Sequence, residues 1–132
     1  MDRQARIDFI LDHYENPRHY GPLAEATIIQ KGGNPGCGDV VTFYLKVDGD
    51  DRIRRISFEG DGCTISQAAS SIVTEMFTGK TLADVEATSP DVILDLLGRE
   101  IAGTRLKCAM LGLNTTKEAV RALRREQERD NK

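Results

Sequence analysis

Three cysteines and one aspartate in this chain have the residue types of a single tetrahedral metal site: Cys37, Asp39, Cys63 and Cys108. Zinc accepts thiolate and carboxylate ligands in a tetrahedral arrangement, and cysteine thiolates are also the usual ligands of iron–sulfur clusters. A carboxylate holds these soft metals less firmly than a thiolate does. The set therefore indicates a site from which a metal ion or a cluster can leave.

Each cysteine has a local sequence that bears on this hypothesis. Cys37 lies between two glycines, whose backbone can take left-handed angles and approach a bound atom closely. Cys63 follows a Gly-Asp-Gly turn at the predicted start of a helix, where free N–H groups favour a thiolate. Cys108 lies near the start of the last predicted helix, beside Arg105 and Lys107, and their positive charges also favour a thiolate.

Each of these sites alone also has an ordinary structural interpretation. The segment around Cys37 can be a plain loop in which Asp39 accepts hydrogen bonds from its own backbone. Cys63 and Cys108 can be core residues, because free cysteine is often buried. The two histidines, His13 and His19, are less informative about a metal site than the cysteines are.

The composition predicts a single cytoplasmic domain that spans residues 1–132. This length fits one domain with its own core, and a net charge of −3 gives no broad attraction to nucleic acid or to an anionic membrane. No apolar run approaches the roughly 20 residues that span a bilayer, and the first residues do not lead into a signal-peptide core. In a reducing cytoplasm, three cysteines indicate metal binding or catalysis rather than disulfides.

The first half of the chain predicts one helix and three strands. Apolar residues at helical spacing, which we expect to form one face of the helix, are Ile7, Ile10, Leu11 and Tyr14. Asn16 precedes a proline and ends this helix, because a residue before proline avoids helical angles. A weak strand at 26–31, an alternating strand at 41–47 and a third strand at 52–59 predict an antiparallel meander.

The second half predicts helices only. The first begins after Cys63, with Thr64 and Gln67 as a capping box, and ends near Gly79. Its apolar stripe consists of Ile65, Ala68, Ala69, Ile72, Val73, Met76 and Phe77. Thr81 to Asp84 predicts the cap of a short helix, and Ser89 caps another that has Pro90 in its first turn and Gly98 at its end. The last helix runs from about residue 106 to about residue 128. Its predicted core-facing residues are Leu106, Met110, Leu113, Val120 and Leu123. The order predicts an α+β domain, with a three-stranded antiparallel sheet and helices packed on one face.

Four motifs are spread over nearly the whole chain in a fixed order. They are Asp12-His-Tyr-Glu-Asn-Pro-Arg18, Asn34-Pro-Gly-Cys-Gly-Asp39, Gly60-Asp-Gly-Cys-Thr-Ile-Ser-Gln-Ala68 with Ser70-Ser71, and Arg105-Leu-Lys-Cys108. With these motifs the chain resembles the iron–sulfur cluster assembly scaffold family, which includes IscU, SufU and the N-terminal domain of NifU. The resemblance implies the SufE/NifU-like fold, a three-stranded antiparallel sheet packed by helices.

The resemblance also implies a function and partners. Scaffolds of this family accept sulfur from a cysteine desulfurase of the SufS, IscS or NifS type, assemble a [2Fe-2S] cluster and transfer it to acceptor apo-proteins. Carried over to this chain, the ligands are Cys37, Asp39, Cys63 and Cys108. The IscU branch implies Cys108 as the sulfur acceptor. The SufU branch binds Zn²⁺ and relays sulfur, and it implies Cys63. A cluster held by one subunit or shared between two fits the same ligands, so a monomer and a homodimer both stay open.

Features of both branches occur together here. Lys107 stands where IscU proteins carry histidine, and residues 101–105 replace the Leu-Pro-Pro-Val-Lys segment that binds the IscU chaperone. The interval between Cys63 and Cys108 resembles that of IscU and lacks the SufU insertion. Three hypotheses follow: a non-enzymatic [2Fe-2S] scaffold, a zinc-dependent sulfurtransferase, and a structural zinc domain that binds other proteins.

Overall fold

The computed structural model describes residues 2–34, 38–103 and 105–130, apart from the side chains of Asn34 and Asp130. Its elements are α1 (Arg3–Glu15), β1 (Ile28–Asn34), β2 (Asp39–Val47), β3 (Ile53–Asp61), α2 (Thr64–Phe77), α3 (Leu82–Ala87), α4 (Pro90–Leu97), α5 (Arg99–Gly103) and α6 (Leu106–Asp130). The predicted order of one helix, three strands and then helices is confirmed. None of the described helices combines the length and the apolar character that crossing a bilayer requires.

The three strands form an antiparallel meander in the order β1-β2-β3. Asp39, Val41, Phe43 and Leu45 of β2 are buried, whereas the residues between them are more exposed. This alternation places one face of the sheet against α2 and α6, as the sequence predicted. The first strand begins at Ile28 and reaches Asn34, so it lies slightly later in the chain than the predicted 26–31.

Helices α2 and α6 cross closely behind the sheet. A methyl group added at Gly112 of α6 would lie 2.9 Å from Ser70 Oγ and 3.0 Å from Ser70 Cα on α2. Because Gly112 has no side chain, the backbone of α6 can lie directly against Ser70 of α2. Since Cys108 lies one helical turn before Gly112, this crossing also fixes where Cys108 stands.

We expect the Gly112→Val substitution to lower the free energy of unfolding by about 2 kcal/mol or more, because overpacking typically costs 1–3 kcal/mol. The Gly103→Val substitution is the matched control, because a Cβ at Gly103 meets no atom within 4 Å. Urea unfolding measures both variants. Equal stabilities of the two variants would contradict the close crossing.

The predicted caps of the shorter helices are confirmed. Thr81 and Asp84 form a reciprocal capping box at the start of α3. Ser89 caps α4 and accepts a hydrogen bond from Asp91 N, with a proline at the first turn. Gly98 ends α4 at a φ of 90°.

Three local predictions are wrong. Leu11 and Tyr14 of α1 are 41% and 43% exposed, because α1 packs on its neighbours mainly through Ile10 and His13. Leu106 is 50% exposed, because it lies on the outer side of the first turn of α6, whereas Cys108 and Ala109 in the same turn are buried. The third is the start of α2, where Cys63 and not Thr64 is the N-cap.

A buried histidine joins α1 to α2. His13 is 2% exposed, and its Nδ1 lies 2.7 Å from Ser71 Oγ. Ser71 Oγ also accepts a hydrogen bond from Arg18 N, so it can donate its own proton to a neutral His13. On the other side of the ring, Nε2 lies 3.2 Å from Glu75 Oε1. The Asp12–Arg18 segment is thereby held against α2.

Burial lowers the pKa of His13 below its ordinary value of 6.5; Arg18 also lowers it, whereas Glu75 and Asp12 oppose the shift. A histidine with a lowered pKa contributes stability that is present above about pH 6.5. Below that pH, His13 binds a proton in the unfolded chain while it stays neutral in the folded chain. We therefore expect the free energy of unfolding to fall below pH 6.5, by at most about 1.4 kcal/mol per pH unit from this group.

Chemical unfolding between about pH 5 and about pH 8 measures this slope. His13→Gln should flatten it, while His19→Gln, which replaces the exposed histidine, should leave it unchanged. An unchanged slope in His13→Gln would contradict the assignment.

Candidate metal centre

Three of the four predicted ligands converge in space. Asp39 begins β2, Cys63 immediately precedes α2, and Cys108 lies in the first turn of α6. One ligand atom from each of the three lies within 4.8 Å of the others. Cys37, the fourth predicted ligand, lies outside the described residues. Chain segments 24 and 45 residues apart therefore supply one cluster of metal-binding atoms.

Asp39 lies at the centre of this cluster and is 3% exposed. Its Oδ1 accepts a hydrogen bond of 3.0 Å from Cys63 N. Its Oδ2 lies 2.9 Å from Cys108 Sγ and 3.9 Å from Cys63 Sγ. One carboxylate oxygen thus fixes the carboxylate to the start of α2, while the other faces both thiols.

Two glycines allow the side chain of Asp39 to occupy this position. Gly38 has a φ of 75°, which L residues rarely adopt, and it turns the chain directly into β2. A Cβ at Gly62 would overlap Asp39 Oδ1 and would lie 2.8 Å from Ser66 Oγ. Pairing of Val40 with Asp61 brings the end of β3 beside Asp39. The missing side chain at Gly62 leaves the space that the carboxylate fills.

Cys63 is the N-cap residue of α2, and it is half-buried. The predicted capping box of Thr64 and Gln67 is wrong, because Thr64 is already the first helical residue. The side chain of Cys63 caps no backbone N–H, so its sulfur is available for other bonds. Ser66 Oγ lies 3.9 Å from this sulfur and donates a hydrogen bond to Cys63 O.

Cys108 is a buried thiol, only 3% exposed. Burial, together with the adjacent Asp39 and Cys63, raises its pKa to about 12. The expectation that Arg105 and Lys107 favour a thiolate here is wrong, because both side chains are exposed, whereas the sulfur points inward. At neutral pH the thiol is protonated and donates to Asp39 Oδ2. A metal ion must displace this proton when it binds.

The donor set fits a soft divalent metal or an iron–sulfur cluster. Two thiols and a carboxylate are compatible with zinc and with iron. Among the ion pairs of the described residues, none includes Asp39. A buried carboxylate without a cationic partner is costly, and a bound metal cation would supply the missing positive charge. His13 is bound to Ser71 and Glu75, away from this set.

Sequence reasoning missed two residues of this site, Gly62 and Ser66. The signal for Gly62 was present, since glycine next to a candidate ligand often marks a close approach of chain segments. Nothing in the local sequence indicated that Asp39 would be the group approaching. Ser66 lies one helical turn after the N-cap, where a side chain can reach back to the residue that begins the helix.

Residues 6–130 match the sequence profile of the NifU-like N-terminal domain. The chain belongs to this family. It is 35% identical over 113 residues to the iron–sulfur cluster assembly scaffold protein IscU 1 of Archaeoglobus fulgidus, with 86% of this chain and 72% of the relative covered. It is also 35% identical over 120 residues to the iron–sulfur cluster assembly scaffold protein IscU of Azotobacter vinelandii, with 89% of this chain and 92% of the relative covered.

Solved structures agree with this assignment. A candidate iron–sulfur cluster assembly scaffold protein for the SUF system from Fervidobacterium islandicum superposes with a TM-score of 0.70 at 30% identity, covering 86% of this chain and 94% of that one. An N-terminal NifU-like protein from Brucella abortus superposes with a TM-score of 0.75 at 22% identity, covering 88% of this chain and 95% of that one. At this identity the superposition supports the fold alone. The predicted three-stranded sheet with packed helices is therefore the fold of this family.

Proposed function

We propose that this protein is a scaffold for iron–sulfur cluster assembly. It accepts sulfur from a cysteine desulfurase, assembles a [2Fe-2S] cluster as its cargo and passes the cluster to acceptor apo-proteins. The observation that carries the proposal is the convergence of Asp39, Cys63 and Cys108 within 4.8 Å, in a chain whose relatives are named as such scaffolds. Cys37, two residues before Asp39, is the proposed fourth ligand.

The buried position of the site supports a role in assembly. Cys108 and Asp39 are almost fully enclosed, so iron and sulfide would be held away from bulk water there. The carboxylate oxygen that faces both thiols offers iron a weaker ligand than sulfur does. In this proposal Asp39 is the ligand that exchanges when the cluster is released.

Cys63 and Cys108 are the two proposed sulfur acceptors. In either case the thiolate attacks the terminal sulfur of the desulfurase persulfide, and the cysteine thiolate of the desulfurase leaves. Cys63 is the more accessible of the two in the structure, because it is half-buried whereas Cys108 is 3% exposed. Acceptance at Cys108 therefore requires the first turn of α6 to move outward.

A zinc-dependent sulfurtransferase is the second candidate function. The observation that favours it is a donor set that suits one tetrahedral Zn²⁺ as well as it suits a cluster, together with an exposed Lys107 where IscU proteins carry histidine. In this function Zn²⁺ holds the thiols as thiolates, and the protein relays sulfur without building a cluster.

Anaerobic reconstitution with a cysteine desulfurase, cysteine and ferrous iron separates these functions. Iron and acid-labile sulfide in equal amounts, with visible charge-transfer bands that disappear in Cys63→Ser and Cys108→Ser, are expected for the scaffold. His19→Gln is the control that should keep the bands, because His19 lies in a different part of the fold. One tightly held zinc and no sulfide after the same treatment would replace the scaffold proposal with sulfur transfer.

A further inference from the structure

The hydroxyl group of Ser66 lies near two possible acceptors, and both belong to Cys63. Its Oγ donates a hydrogen bond of 3.0 Å to Cys63 O and lies 3.9 Å from Cys63 Sγ. Ser66 is 1% exposed, so water does not compete for the hydroxyl proton. Because this proton can turn about the Cβ–Oγ bond, the charge on the sulfur decides which acceptor it prefers.

The backbone carbonyl of Cys63 does not depend on the bond from Ser66. Cys63 O also accepts a hydrogen bond of 3.1 Å from Gln67 N. A buried carbonyl group that keeps one hydrogen bond is still paired, whereas one that loses all its partners is costly. The Ser66 proton can therefore leave Cys63 O without creating an unpaired backbone group.

The sulfur of Cys63 needs a hydrogen-bond donor once a metal ion has displaced its proton. Asp39 Oδ2 lies 3.9 Å from this sulfur, but an ionised carboxylate has no proton to donate. Cys108, the other thiol of the site, also loses its proton to a metal ion. Among these described neighbours, Ser66 is the one whose proton remains after metal binding.

The charge on a thiolate favours the transfer of the Ser66 hydrogen bond to it. A hydrogen bond to a charged acceptor is roughly twice as strong as one between neutral groups. The separation of 3.9 Å is long, and a small rotation of either side chain shortens it. The space for the hydroxyl exists because residue 62 is glycine, where a Cβ would lie 2.8 Å from Ser66 Oγ.

We propose that Ser66 is a positioning residue for Cys63. When Cys63 becomes a metal-bound thiolate, the Ser66 hydroxyl turns from Cys63 O to Cys63 Sγ and donates its hydrogen bond there. This bond orients the sulfur and withdraws electron density from it, as hydrogen bonds to metal-bound sulfur do. The inference rests on the proposed role of Cys63 as a ligand, and it applies to a zinc ion as well as to a cluster.

Titration of the metal-free chain with Co²⁺ tests this proposal, because the sulfur-to-cobalt charge-transfer band reports the energy of the sulfur lone pairs. Ser66→Ala removes the donor and raises that energy, so the band should move to longer wavelength. Ser66→Thr keeps a hydroxyl group and should restore the wild-type band. The visible bands of tetrahedral Co²⁺ should be the same in all three proteins, because no ligand is lost.

Ser70→Ala is the matched control. Ser70 is an equally buried serine of α2, and its Oγ has no hydrogen-bond partner among the described residues. The control should leave the charge-transfer band in place. In competition with a chelator, Ser66→Ala should bind the metal about tenfold more weakly than Ser70→Ala does, as is typical when a group that orients a metal ligand is removed.

An unshifted band in Ser66→Ala would overturn the proposal. A shift that Ser66→Thr does not reverse would also overturn it, because Ser66 would then act through packing alone. Cys63→Ser distinguishes these results from a failure of the proposed function. If Cys63→Ser keeps the full charge-transfer intensity, Cys63 is not a ligand and the proposed ligand set is wrong. If the intensity falls while Ser66→Ala leaves the band in place, the inference about Ser66 fails alone.

Discussion

Replacing Gly62 with alanine is expected to lower the affinity of the site for metal by about 10- to 100-fold, the range found when groups that orient metal ligands are disturbed. The added Cβ would overlap Asp39 Oδ1 and lie 2.9 Å from Asp39 Cγ, so the carboxylate has to leave its position. Gly62 is not among the glycines with positive φ, so alanine fits its backbone conformation and the effect is steric.

Competition with a chelator for Zn²⁺, or the charge-transfer spectrum of bound Co²⁺, measures this affinity. Gly49→Ala is the matched control, because a Cβ at Gly49 meets nothing within 4 Å, and it should bind metal as the wild type does. Wild-type affinity in Gly62→Ala would show that metal binding does not depend on the present position of the Asp39 carboxylate. Circular dichroism of both variants distinguishes a local effect from loss of fold.

The sequence predicted those features that local patterns determine. The apolar residues of α2 that recur at helical spacing are buried in the structure, as Ala68, Ile72, Val73 and Phe77 illustrate. The cap at Thr81 was also predictable, because a capping box lies within four consecutive residues. The ligand types were visible as well, since thiols and a carboxylate in glycine-rich turns are uncommon in an ordinary core.

The remaining features depend on contacts between distant segments. Cys63, and not Thr64, is the N-cap of α2, and its N–H donates a hydrogen bond to Asp39, 24 residues earlier in the chain. The raised pKa of Cys108 arises from enclosure by several elements, which outweighs the two charged residues near it in sequence. Periodicity alone could not tell that α1 would bury His13 and leave Tyr14 exposed, because that depends on the shape of α2.

Substitution of Asp39 should separate the two roles of its carboxylate. Asp39→Asn keeps an oxygen that can accept the hydrogen bond from Cys63 N but removes the negative charge offered to the metal. Asp39→Ala removes both. Because the carboxylate is the proposed exchanging ligand, we expect both variants to release a reconstituted cluster to an acceptor protein about tenfold more slowly than the wild type does, a difference of about 1.4 kcal/mol in the barrier.

The stabilities of the metal-free variants should differ. Asp39→Ala leaves Cys63 N without its acceptor in a partly buried place, which should lower the free energy of unfolding by about 1 kcal/mol relative to Asp39→Asn. Loss of the visible cluster spectrum over time measures release, and urea unfolding measures stability. Faster loss of iron from both variants would exclude an exchanging role for Asp39 and would make it an ordinary ligand. If release slows only in Asp39→Ala, departure depends on the side-chain oxygen that Asp39→Asn retains and not on the negative charge.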